Sequence, residues 1–107
     1  MALIGNPFVV DVPRKLSADE LAQAIRVDIA GEYEAIIGYE AHALATDDEN
    51  AKKVLRHIAE EEMHHVGELQ ELLFRLCPRE KQKVEAGKME LQSYGIFFFP
   101  GSSAEEQ

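Results

Sequence analysis

Glu62 and His65 stand three positions apart, and Glu32 stands alone thirty positions earlier. Residues three apart on a helix are neighbours on its surface, so this carboxylate and imidazole would present their donor atoms to one point. Carboxylate oxygen and imidazole nitrogen are ordinary ligands for divalent transition metals. All three residues also sit within apolar surroundings. A carboxylate that faces a core is costly unless it is paired or bound to a metal.

Positioning such groups takes two long helices. With about 100° per residue, Leu21, Ile25, Ile29, Ile36, Tyr39 and Ala43 share one stripe, with Glu32 at its centre and Asp28 at its edge. A second stripe holds Ala51, Leu55, Ile58, Val66, Leu69, Leu73 and Leu76, with Glu62 at its centre and His65 close by. A competing pair, Glu61 and His64, has the same spacing. His64 points well away from the stripe and Glu61 lies beyond its edge. The register therefore selects Glu62 and His65, and leaves Glu60, Glu61 and His64 to the surface or to supporting positions. His42 and His57 read as flank residues. The structural alternative is a glutamate whose stem packs on apolar neighbours and a satisfied core histidine. The co-occurrence of three potential ligands favours the metal.

Local signals set the limits of these helices. Ser17 and Glu20 form a capping box that starts the first, which should run to about Ala45. Thr46, Asp47 and Asp48 form the turn and suit the start of the second. That helix should end at Leu76, because Pro78 cannot continue it. Arg79 to about Gln92 reads as a shorter, polar helix weakened by Gly87. We expect an extended arm over 1–16, a helical domain over 17–93 and a tail over 94–107 with an aromatic patch. The turn centre lies near residue 47, fifteen residues from both Glu32 and Glu62, so an antiparallel hairpin sets them at one height. Ala24, Gly31, Gly38 and Ala45 repeat every seven residues beside the first stripe. Each glycine costs about 1 kcal/mol inside a helix, so this seam reads as a place where another helix comes close. Helices of roughly 28 residues, about 40 Å long, are too long for the third segment to cover, so the hairpin should pack against another hairpin.

The bulk composition narrows the field. A chain of 107 residues is one domain. Its formal net charge of −9 argues against nucleic acid and anionic membrane surfaces. It holds one cysteine, Cys77, which reads as a buried thiol at a helix end and fits a reducing compartment. No apolar run is long enough to span a bilayer, and the N-terminus has no signal-peptide pattern, so the expected location is cytoplasmic.

Carboxylates with an imidazole on bundle helices suit iron, with manganese as the alternative; no inward cysteine is available for a structural zinc site. The di-iron bundle pattern takes two single glutamates and two Glu-x-x-His pairs from four helices. This chain supplies one of each, so a homodimer about a two-fold axis would complete the set. Glu62 would then bridge two irons, with Glu32 and His65 terminal. Tyr39 would be an outer hydrogen-bond donor or redox-active phenol, or simply an aromatic core residue.

The segments Ile29-Ala30-Gly31-Glu32-Tyr33-Glu34-Ala35-Ile36-Ile37-Gly38-Tyr39-Glu40 and His57-Ile58-Ala59-Glu60-Glu61-Glu62-Met63-His64-His65-Val66-Gly67-Glu68-Leu69 resemble the rubrerythrin and ferritin-like superfamily. The single-hairpin length resembles its half-size branch, the encapsulated ferritins. The resemblance covers about residues 17 to 76. It implies an all-α hairpin that dimerises into a four-helix bundle, with a ferroxidase centre across the dimer interface. It also implies Glu32, Glu62 and His65 as iron ligands, assembly into rings, and residence inside an encapsulin shell. The chain has no rubredoxin-type cysteine pairs and no recognisable shell-targeting peptide after residue 94. The expected activity is oxidation of Fe(II) to Fe(III) for storage or detoxification. The alternatives are a rubrerythrin-like peroxide reductase and a non-catalytic oligomerisation or metal-binding module.

Overall fold

The computed structural model of the protein describes residues 14–95. Most of the expected arm and tail lie outside the described residues. Three helices follow in order, α1 (Ala18–Leu44), α2 (Glu49–Leu76) and α3 (Pro78–Ser93), and the described residues hold no strand. The expected all-α class is what the chain adopts.

The capping box at the start of α1 is complete. Ser17 Oγ accepts from the Glu20 amide at 3.2 Å, and the Ser17 amide donates to Glu20 Oε1 at 2.9 Å. Arg14 adds a two-pronged contact, with Nη1 donating to Glu20 Oε1 at 2.7 Å and Nη2 donating to Oε2. The Arg14 guanidinium and the Ser17 amide hold the Glu20 carboxyl down at about 2. Asp48 caps α2, its side chain accepting from the Asn50 and Ala51 amides, each at 3.0 Å. The short link between Leu44 and Glu49 forces α1 and α2 into an antiparallel pair, and they pack on each other.

At the far end of α2, the Cys77 amide bonds to the Leu73 carbonyl at 2.8 Å. Cys77 is half-buried, less covered than expected, and the Arg26 guanidinium lies 4.0 Å from its sulfur. The third helix begins at Pro78 and not at Arg79. Proline ends α2 but is well suited to the first position of a new helix, where its missing N–H is not needed. The chain divides into two compact units at this point, Met1–Cys77 and Pro78–Gln107. Within the second unit, the Gly95 amide bonds to the Gln92 carbonyl, and Gly95 takes φ +76, a left-handed conformation that favours glycine at a helix end.

The hairpin core is small. Ile25, Ile36 and Ala43 of α1 are buried with Ala59, Leu73 and Phe74 of α2. The stripes are covered only along one edge. Leu21 is exposed, and Ile29 and Tyr39 are half-buried. On α2 only Leu73 of the expected stripe is buried; Ala51, Leu55, Ile58, Val66, Leu69 and Leu76 are half-buried. One helix shields a narrow line of its neighbour, and these stripes are wider than that line. The glycine seam is likewise unused inside the hairpin, because a Cβ at Gly31 or Gly38 would meet nothing within 4 Å.

The cap yields a direct test. Ser17→Ala should lower stability by about 1 kcal/mol in chemical denaturation. Amide exchange should accelerate in the first turn of α1 and stay unchanged at the Asp48 cap.

Candidate metal centre

Glu32 comes from the middle of α1, and Glu62 and His65 from the middle of α2. The tight link makes the two helices mirror each other in height about the turn, and the helical register turns the three side chains toward one another. One donor atom from each lies within 4.8 Å of the others. His65 Nδ1 is 2.9 Å from Glu62 Oε1 and 3.5 Å from Glu32 Oε1. Among the described residues no other group of three or more His, Cys, Asp or Glu residues converges in this way.

Exposure differs between the three. The Glu32 and Glu62 side chains are 24% and 18% exposed, while His65 is half-exposed. Glu32 Oε1 is buried without a hydrogen-bond partner, with the His65 ring at the ion-pair distance above. A buried carboxylate oxygen in that condition is a place for a cation. A metal ion with bonds of about 2.1 Å needs donor atoms within about 4 Å of each other, so small rotamer adjustments would bring all three onto one ion. The site fits a metal, and it fits one poorly satisfied by these three ligands alone.

Without metal, the three groups shift one another's proton affinities. The Glu62 carboxylate accepts a hydrogen bond from Glu32, which raises the Glu32 pKa; burial and the Glu62 charge push the same way. Glu62 is lowered by the Glu32 and His65 hydrogen bonds together. His65 is raised, first by its hydrogen bond to Glu62. A metal ion would compete with protons for all three groups.

The competing pair does not converge with α1. His57, Glu60, Glu61 and His64 line a shallow cavity of about 370 Å³ on the outer side of α2, to which the cluster contributes only His65. There His57 and His64 face their own helix, 3.4 Å from Glu61 and 3.7 Å from Glu68 respectively. Tyr39, two turns from Glu32, is half-buried and makes no hydrogen bond among the described residues. Asp28 is exposed and outside the cluster.

Comparison with known proteins followed the same helices. The profile of the family described as "Ubiquinone biosynthesis protein COQ7" matches residues 19–81. The encapsulin nanocompartment cargo protein EncC of Myxococcus xanthus is 47% identical over 75 residues, covering 70% of this chain and 58% of that protein. A ferritin-like-encapsulin shell fusion protein of Pyrococcus furiosus is 34% identical over 87 residues, covering 81% of this chain and 25% of the fusion. The chain therefore spans little more than half of one curated relative and a quarter of the other. The crystal structure of the encapsulated ferritin domain from Pyrococcus furiosus superposes with a TM-score of 0.75 at 34% identity, over 85% of this chain and 93% of that one. No helix among the described residues is long and apolar enough to cross a membrane.

These shifts give the metal-free protein a pH signature. A raised Glu32 contributes stability that is complete below its ordinary value of 4.5 and is lost as pH rises through the folded value. A raised His65 does the same from its ordinary 6.5 upward. The lowered Glu62 contributes stability above 4.5 that is lost as pH falls through its folded value. Metal-free protein should therefore melt at a lower temperature at about pH 8 than at about pH 5, and Glu32→Gln should flatten that difference. An unchanged slope in this variant would place the pH dependence elsewhere in the chain.

Proposed function

The chain belongs to the ferritin-like superfamily, in its half-size branch with the encapsulated ferritins, and on that premise we propose that it is a ferroxidase working at a di-iron site shared by two chains. One observation carries this reading: Glu32, Glu62 and His65 put three donor atoms within 4.8 Å of each other. They amount to half of the two-glutamate, two-Glu-x-x-His set that a di-iron bundle takes. A two-fold axis beside the cluster would supply the other half. The half-covered stripes of α1 and α2 support the same arrangement, since they leave apolar surface beside the site for a second hairpin.

Iron is the substrate. Each Fe(II) gives up one electron to dioxygen or a peroxide, whose reduction to water consumes protons. The residues of the chain prepare this chemistry. Glu32 and Glu62 supply negative charge that favours the Fe(III) product over Fe(II). Glu62, 2.9 Å from His65 Nδ1, would be a carboxylate ligand shared within the iron site. His65 gives a neutral nitrogen ligand once its proton leaves. Tyr39 would stand outside the ligands as a phenol able to donate a hydrogen bond or an electron. With an encapsulin cargo protein and a shell fusion among its relatives, the natural setting of the chain is inside an encapsulin compartment, where oxidised iron would be retained.

Two measurements test the reading. Aerobic Fe(II) addition should give iron-dependent oxygen consumption by the full chain. Glu62→Ala and His65→Ala should lower it about tenfold or more, because each dimer loses two ligands. Glu61→Ala and His64→Ala should keep most of it, and equal loss from both pairs would sink the assigned register. Saturating Fe(II) or Mn(II) should also raise the melting temperature of chelated protein, because the metal binds only the folded assembly. Glu32→Ala should weaken that response. A melting temperature indifferent to metal would leave a plain helical oligomerisation module.

A further inference from the structure

We propose that Met63 is a built-in target for oxidant formed at the metal centre, converted reversibly to its sulfoxide so that the ligands beside it are spared. This role rests on the di-iron ferroxidase reading and goes beyond it in naming a modification site on the chain.

The electron count creates the oxidant. A site holding two Fe(II) supplies two electrons in one round, whereas dioxygen needs four to reach water. One round therefore takes dioxygen, with two protons, to hydrogen peroxide. A further Fe(II) reaching the site gives one electron to that peroxide. The O–O bond breaks and leaves hydroxide, a hydroxyl radical and Fe(III). A hydroxyl radical reacts with nearly the first organic group it meets, so the side chains adjoining the ligands receive it. The radical adds to the Met63 sulfur and forms an S–O bond. The adduct loses one electron to Fe(III), regenerating Fe(II), and one proton to the hydroxide. The net change is thioether plus hydrogen peroxide to sulfoxide plus water.

Position and exposure single out Met63. It follows Glu62 directly in α2, so the two Cα atoms are about 3.8 Å apart. Methionine is among the residue types most often buried, yet this one is 47% exposed. It borders two open cavities, a groove of about 310 Å³ between α1 and α2 and a shallower one of about 610 Å³ over Gly67. Its sulfur therefore combines closeness to a ligand with access from solution.

The groove also suits the product. Arg56 lines it, two helical turns before Met63 on the same face of α2, and makes no hydrogen bond or ion pair among the described residues. A thioether is a weak acceptor, and oxidation makes the side chain polar. The groove thus holds a donor that the reduced side chain leaves unused and the sulfoxide oxygen can engage. Methionine sulfoxide is returned to the thioether by dedicated reductases, so the target is renewable.

The chain carries its own comparator. Met89 of α3 is 65% exposed, more than Met63, and adjoins no ligand in the sequence. Peptide mass spectrometry of the full chain reads both sulfurs as the gain of one oxygen atom. After aerobic addition of Fe(II) in small excess over the sites, Met63 sulfoxide should exceed Met89 sulfoxide at least about fivefold, because attack then follows distance from the source. Hydroxyl radicals generated in bulk by a chelated iron and peroxide couple should favour Met89, because attack then follows exposure. Glu62→Ala should remove the preference for Met63 under Fe(II). Met63→Leu should consume oxygen at the wild-type initial rate but lose activity in fewer successive rounds of Fe(II) addition. Oxygen consumption without preferential Met63 oxidation would overturn this proposal alone. So would the same preference under bulk radicals, or a Met63→Leu variant as durable as wild type. No iron-dependent oxygen consumption at all would overturn the ferroxidase reading and the role of Met63 with it.

Discussion

Two carboxylates held at one height on facing helices repel each other unless a proton or a cation lies between them. Most of the architecture of this hairpin bears on that constraint. The short link after Leu44 sets Glu32 and Glu62 level, and the Asp48 cap fixes the phase in which α2 begins. An extra residue within α2 between its start and Glu62 would rotate Glu62 by about 100° and separate the pair. In the metal-free chain the repulsion shows as a Glu32 carboxyl pushed up and a His65 imidazole pushed up beside Glu62.

The same hairpin lacks enough core to be self-contained. Its buried residues are few and include four alanines, Ala22, Ala24, Ala43 and Ala59. Small side chains bring α1 and α2 close together, which the ligand cluster requires, but they bury little apolar area per residue. The remaining apolar surface lies on both sides of the two-helix layer. Stability and function therefore draw on the same resource. On the proposed reading, the surface beside Glu32 and Glu62 would be covered by the copy that completes the ligand set, and folding, assembly and metal binding would be coupled by mass action.

The acidic surface shows how little a motif means without its register. Glu61 with His64 and Glu62 with His65 have identical spacing. The first pair lies along the outer side of α2, where its members interact only with their own helix. The second pair meets α1. One residue of phase, about 100° of rotation, separates a solvated charge pattern from a ligand cluster.

Much of this was legible in the sequence because it is governed by local chemistry. The capping box at Ser17 and Glu20, the Asp48 cap and the break at Pro78 are decided within a few residues, and all three appear where local rules put them. The convergence of Glu32, Glu62 and His65 was legible too, since a hairpin with a short link converts sequence distance from the turn into height. Other features only the tertiary structure decided. Periodicity marks which residues are apolar along a face, but not how wide a line one neighbour covers; hence Leu21 is exposed and most of the α2 stripe is half-buried. The seam of Gly31 and Gly38 makes no close approach within the hairpin itself, where a Cβ at either would meet nothing within 4 Å. The groove of about 310 Å³ lined by Glu40 and Leu44 of α1 and Arg56, Glu60 and Met63 of α2 had no sequence signature, because its two sides meet only where the two helices lie side by side.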